Sequence, residues 1–260
     1  MGHIRLGRLH KSHSWKHLTA LLDLSAPDVG YVATTTAQGA QGRLLDLRSD
    51  PVLGYAFWLL ARVATAARGG DFITDASHLG LTVRGNASAL TLIAQLNDLV
   101  RVQIERHPRS GPFGEIASLA LRRALVETIG TTQTSLFGST VRDLEEAIRQ
   151  QTTDLAFGDL TRRFFGDYLA RTLRFYIDKE LPFHIGADSG FPDIAASALF
   201  VDELDAYCRQ SARIVEGFAG DWLSKYAFHE HGRMSREQAQ GFVAVAMAKL
   251  EAGLRHEVVA

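Results

Sequence analysis

Three histidines, His10, His13 and His17, stand three and four residues apart. On a continuous helix that spacing lines three imidazoles along one side, and neutral imidazole is a good zinc or nickel ligand. No cysteine or carboxylate stands close by to complete a coordination shell, so no metal and no cofactor is expected from them. His229 and His231 flank Glu230; they would share a face in a strand and diverge at a helix end, where a cation suits the negative end of the dipole. Arg101 and His107 form another candidate pair, the arginine to hold phosphate charge and the histidine to move protons. Four arginines, Arg162, Arg163, Arg171 and Arg174, cluster within one helical stretch and offer a surface for a protein or a nucleic acid, with Asp159 and Asp167 interspersed.

The segment Arg101 to His107, RVQIERH, resembles the arginine–histidine motif of the HEPN ribonucleases. That resemblance, seven residues long, implies a helical, usually dimeric domain in which Arg101 and His107 act on an RNA phosphodiester without a metal. The family usually carries a polar residue directly after the arginine; here Val102 follows, and Pro108 follows His107. Arg5 and His10 repeat a similar spacing.

Other chemistries lack their residues. There is no GxxxxGK[ST] loop, no GxGxxG between a strand and a helix, and no GxSxG elbow. The carboxylates at helical spacing, Asp143 with Glu146 and Asp202 with Asp205 beside Glu203, have no histidine three residues after a glutamate, so a bundle di-metal set is missing. They read as solvated helix faces. The single cysteine, Cys208, reads as a core thiol and forms no intrachain disulfide, which fits a reduced cytoplasmic setting.

Composition frames these residues. Of 260 residues 46% are hydrophobic and 22% charged, with a formal net charge of −1, which suits a folded globular chain and gives no global attraction for nucleic acid or acidic lipid. The first seventeen residues are the exception: Arg5, Arg8, Lys11 and Lys16, four histidines and no acid form a basic arm that would suit an acidic partner or a phosphate backbone. The arm lacks the long apolar run of a secretory signal. The most apolar stretch, Gly54 to Ala67, is interrupted by Arg62 and too short to span a bilayer, so no membrane insertion is expected.

The chain around these side chains reads as helix after helix. Trp15, Leu18, Leu21 and Leu22 fall at helical spacing, and Asp28 opens a second helix. Asp50-Pro51 is an N-cap followed by proline at the first helical position, opening a helix from Val52 to about Arg68. Asp71, Asn86 or Ser88, Pro112, and the Thr140/Asp143 pair start four more. Leu160 to Ile177 carries a wide apolar stripe, and Pro192-Asp193 opens one long helix reaching Trp222, with a kink or close contact expected at Gly217 and Gly220. Ser235 and Gln238 form a capping box for the last helix. Strand competes with helix in one place, Tyr31 to Thr36 (YVATTT), which is β-prone by composition.

The expected fold is therefore an all-α, multi-helix bundle of roughly eight to ten helices. After the arm, 1–17, the pattern divides into an N-terminal helical half, 18–130, and a C-terminal helical half, 139–260, joined by the Thr- and Ser-rich loop Thr131 to Gly138. The expected function is that of a non-catalytic subunit or adaptor that binds protein partners through helix faces. A HEPN-like ribonuclease and a nucleic-acid-binding module using the basic arm are the alternatives. Self-association is compatible with each.

Overall fold

The structure, a computed structural model, describes residues 12–67, 71–84, 87–130, 140–229 and 234–256. Twelve α-helices run through the described residues, and no strand occurs among them. They are α1 (His13–Leu22), α2 (Val29–Gly39), α3 (Gln41–Leu47), α4 (Pro51–Ala66), α5 (Phe72–His78), α6 (Ala89–Arg106), α7 (Pro112–Leu125), α8 (Val141–Arg149), α9 (Asp154–Ile177), α10 (Ile194–Ser211), α11 (Arg213–His229) and α12 (Arg236–His256). The all-α bundle expected from the spacing of apolar residues is the fold of this chain. No helix among the described residues is long and apolar enough to cross a membrane.

Helix starts follow the capping chemistry. Asp50 Oδ1 accepts from the amides of Val52 and Leu53 at 3.0 and 2.9 Å, with Pro51 at the first helical position. Thr140 and Asp143 cap α8 reciprocally, and the Ser235 amide donates to Gln238 Oε1 at 2.7 Å while the Gln238 amide donates to Ser235 Oγ at 3.2 Å. Caps of this kind are each worth about 1 kcal/mol.

Three elements differ from the sequence pattern. The β-prone YVATTT segment lies inside α2, where the Thr36 hydroxyl donates to the Val32 carbonyl at 2.6 Å and the Thr34 hydroxyl to the Leu254 carbonyl at 2.5 Å. Packing on both sides and hydroxyls satisfied by carbonyls override the β preference. A short helix, α3, follows α2 almost at once. The long helix expected after Asp193 is two helices, divided at Ala212 rather than kinked at Gly217 or Gly220.

The division at Ala212 lets α10 and α11 each lie against α9. Glycines set the approach. A Cβ at Gly166 of α9 would stand 3.0 Å from Arg209 Cα of α10, and one at Gly158 would stand 3.1 Å from the Glu216 carbonyl oxygen of α11. Gly220 of α11 lies so close to the first turn of α9 that its Cβ would fall 2.7 Å from the Asp154 carbonyl oxygen. The close contact expected at Gly220 is present.

Two helices carry the core. In α4, 13 of 16 residues are buried, so it is an interior helix rather than an amphipathic surface one. Helices α5, α6, α7, α8 and α12 pack on it, while α7, α10, α11 and α2 pack on α9. The two meet through aromatic rings: Phe57 lies 6.0 Å from Phe164, 5.5 Å from Phe165, 5.7 Å from Trp222 and 4.6 Å from Phe242, centre to centre. Buried side chains from before residue 131 and after residue 139 form one continuous core.

Candidate functional site

The arginines of α9 are held by carboxylates. Arg163 Nε lies 2.6 Å from Asp159 and its Nη1 3.0 Å from Glu127; Arg162 pairs with Asp159 and, at 2.8 Å, with Glu216. Arg171 Nε lies 2.5 Å from Asp167, and Arg174 stands 3.8 Å from Asp178 and 3.9 Å from Asp205. Arg123 of α7 joins the network at 2.8 Å from both Glu127 and Asp167. Burial pushes the Glu127 carboxyl up, but hydrogen bonds and charge from Arg123 and Arg163 outweigh this and hold it below its ordinary value. Asp159 behaves likewise beside Arg163 and Arg162. These arginines cross-link α7, α9, α10 and α11. Asp205, expected on a solvated face, turns into the network and is half-buried, whereas Asp202 and Glu203 are exposed.

The other candidates lie apart. Arg101 is exposed and pairs with Asp98 of its own helix at 3.0 Å. His107 caps the C-terminus of α6 and faces a different cleft, of which Arg101 is not a lining residue. Six residues of helix advance about 9 Å and rotate the two side chains to different faces. His13, Lys16 and His17 are exposed on α1, while Arg5, Arg8, His10 and Lys11 lie outside the described residues, as do Glu230, His231 and the loop Thr131 to Gly138. Among the described residues no three His, Cys, Asp or Glu side chains are grouped as a metal site. Cys208 is fully buried, and burial together with the charge of Asp205 pushes its thiol well up.

The apolar surface is unevenly spread. At the start of α10, a groove of about 420 Å³ runs between the chain at Ser25 to Pro27, the loop Ala187 to Pro192, and Ala196, Leu199 and Phe200 of the helix. Leu199 is 60% exposed, and Leu24, next to Ser25, and Ile194, midway between Pro192 and Ala196, are 54% and 76% exposed. The groove is firmly built. A Cβ on Gly190 would fall 1.9 Å from the Leu22 carbonyl oxygen, so this loop sits directly on the end of α1, and the Phe191 amide donates to the His184 carbonyl at 3.0 Å. His184 Nδ1 lies 2.7 Å from Asp23. On the groove wall Ala26 holds φ at 57°, a left-handed conformation that costs a non-glycine residue about 1–2 kcal/mol. Such strain persists where the surroundings fix it, which is common at binding sites. The rim is acidic: Glu203 lines the groove, Asp28 lines the adjoining cleft, and Asp188 and Asp193 are exposed next to lining residues.

A second cleft, of about 400 Å³, opens where α4, α6 and α12 converge, lined by Tyr55, Gln103, His107, Arg236, Glu237 and Gln240 together with Pro51 and Gly54. Sequence reasoning singled out only His107 among these, because its partners come from segments far apart in the chain.

Comparison with protein-family models, with curated proteins and with solved structures finds no match to this chain. The molecule's class is that of an all-α helical bundle, and the functional reading stands on its own surface and interior.

Proposed function

We propose that this chain is a non-catalytic helical subunit that binds a protein partner through the groove at the start of α10. The observation that carries the reading is the concentration of exposed large apolar side chains, Leu24, Ile194 and Leu199, beside a preformed groove. Solvating apolar surface of this kind is unfavourable, and a partner that covers it gains the stabilisation. The acidic rim selects the partner's chemistry: a segment with apolar anchors flanked by lysine or arginine. The engagement of the α9 arginines in ion pairs supports the same reading, since it directs the arginine cluster to cohesion rather than to a polyanion.

The test is affinity purification from the native host with the wild-type chain, with Ile194→Lys and with Leu199→Lys. Both substitutions lie on exposed positions and are expected to leave the melting temperature within about 1 °C of wild type. A co-purifying protein with a basic, apolar segment, lost in both variants, is the expected result. The same protein retained equally by both variants removes the groove from the account.

A further inference from the structure

We infer that the cleft between α4, α6 and α12 binds a small molecule through an oxyanion, a phosphate or a carboxylate, with Arg236, His107, Gln103 and Tyr55 as the recognising groups. This goes beyond the partner-binding reading and rests on a different face of the molecule.

The donors are uncommitted. The Arg236 guanidinium lies 4.7 Å over the Tyr55 ring and 5.0 Å over the Trp58 ring, and these two rings stack at 5.4 Å. Among the described residues no carboxylate lies within ion-pair distance of it. Stacking fixes the plane of the guanidinium and leaves its N–H edge free, which suits a two-point grip on an oxyanion. Gln103, only 7% exposed, is the second observation. Its side-chain amide makes no hydrogen bond among the described residues and lines the cleft. The polar end of this otherwise buried side chain opens into the cleft, where its N–H groups are available to an oxyanion. The imidazole of His107 is likewise unpaired among the described residues. Burial raises the Tyr55 hydroxyl above its ordinary value against the charges of Arg236 and Arg106, so it is a protonated donor.

The surroundings hold these groups in place. Gln240 Nε2 donates to the Arg48 carbonyl at 3.0 Å, and the amide lies over Gly54, where a Cβ would fall 1.9 Å from Gln240 Oε1. The Trp58 indole N–H donates to the Met234 carbonyl at 2.9 Å, fixing the ring beneath Arg236. Helix α12 begins at the cleft with the positive end of its dipole. Glu237 is the one acid of the lining. It is exposed, and its own amide and Ser235 hold its carboxylate below its ordinary value, so it remains charged at the rim. A cleft of about 400 Å³ fits a mononucleotide or a small polycarboxylate. It lacks the extended basic track that a nucleic acid needs.

The experiment is calorimetric titration of the full chain with inorganic phosphate, adenosine monophosphate, citrate and a single-stranded RNA decamer, beside thermal melting. Adenosine monophosphate or citrate is expected to bind in the millimolar range or tighter, and Arg236→Met to weaken it about ten-fold or more. Gln103→Met separates a binding role from a structural one: it is expected to weaken binding yet leave the melting temperature of the ligand-free protein within about 1 °C of wild type, because its amide bonds no protein group among the described residues. Glu237→Gln is expected to tighten anion binding about two-fold or more by removing a like charge. No binding of phosphate, adenosine monophosphate or citrate at 10 mM, or unchanged binding in both Arg236→Met and Gln103→Met, overturns the inference. RNA that binds much more tightly than every small anion overturns the small-molecule assignment.

Discussion

Alanine at Gly217 and at Gly220, three residues apart on α11, should shift stability in opposite directions. In a helix interior the exchange gains about 1 kcal/mol from backbone entropy and solvation. At Gly217 nothing lies within 4 Å of the added Cβ, so that gain is expected whole. At Gly220 the Cβ would meet the Asp154 carbonyl oxygen at 2.7 Å, Asp154 Cβ at 2.8 Å and the Asp154 carbonyl carbon at 3.0 Å. Ordinary contact begins near 3.4 Å, so the first turn of α9 must retreat by roughly 0.7 Å from a close-packed seam. Overpacking of this order costs about 1–3 kcal/mol, which exceeds the propensity gain and leaves a net loss of about 1 kcal/mol. Urea unfolding at constant m-value is the assay, with the two variants expected to differ by about 2 kcal/mol. Equal stabilisation in both would refute the close approach of α9 and α11, and with it the reason assigned to the break at Ala212.

Further expectations follow from the same packing. Arg48 holds Glu251, 4% exposed, through two bonds of 3.0 and 2.7 Å, so Arg48→Ala is expected to lower stability by about 2 kcal/mol; a urea midpoint unmoved by the change contradicts this. Glu127 and Asp159 have folded values below their unfolded ones near 4, so their contribution is present above that value and is lost as pH falls through the lower folded values. The melting temperature should drop below about pH 4, less steeply in Glu127→Gln, and a parallel drop in that variant removes Glu127 as a contributor. Cys208 is fully buried with its thiol pushed up, so an aromatic disulfide reagent should label it only as fast as the chain unfolds; rapid stoichiometric labelling of the native protein argues against its burial.

What the sequence made legible was local. Asp50-Pro51, Thr140 with Asp143, and Ser235 with Gln238 announce helix starts because a cap is made within four residues. Apolar spacing announced α4, α6 and α9 for the same reason. The break at Ala212 has no proline or glycine to mark it, and arises because two helices must both reach α9. Helix α3 starts two residues after Gly39 and carries Gly42 in its first turn, which hides its start. Polar-looking positions of α9, Thr161, Asp167 and Thr172, are buried, since that helix is covered on several sides. The arginine cluster and its local partners Asp159 and Asp167 were visible as charge, but Glu127, Glu216 and Asp205 come from elsewhere in the chain, so the cross-linking of helices was not. The cleft at Tyr55, Gln103 and Arg236 joins positions far apart in the chain, and none of the three carries a local signal beyond helical spacing.

If the groove at the start of α10 is the contact surface for a protein partner, photocrosslinking in the native host should capture that partner there. A benzophenone amino acid would replace Leu199 in one experiment and Leu90, an equally exposed leucine on α6, in another. One discrete adduct of a second protein from position 199, absent at position 90, is the predicted result. No adduct from position 199, or the same adducts from both positions, would contradict the assignment.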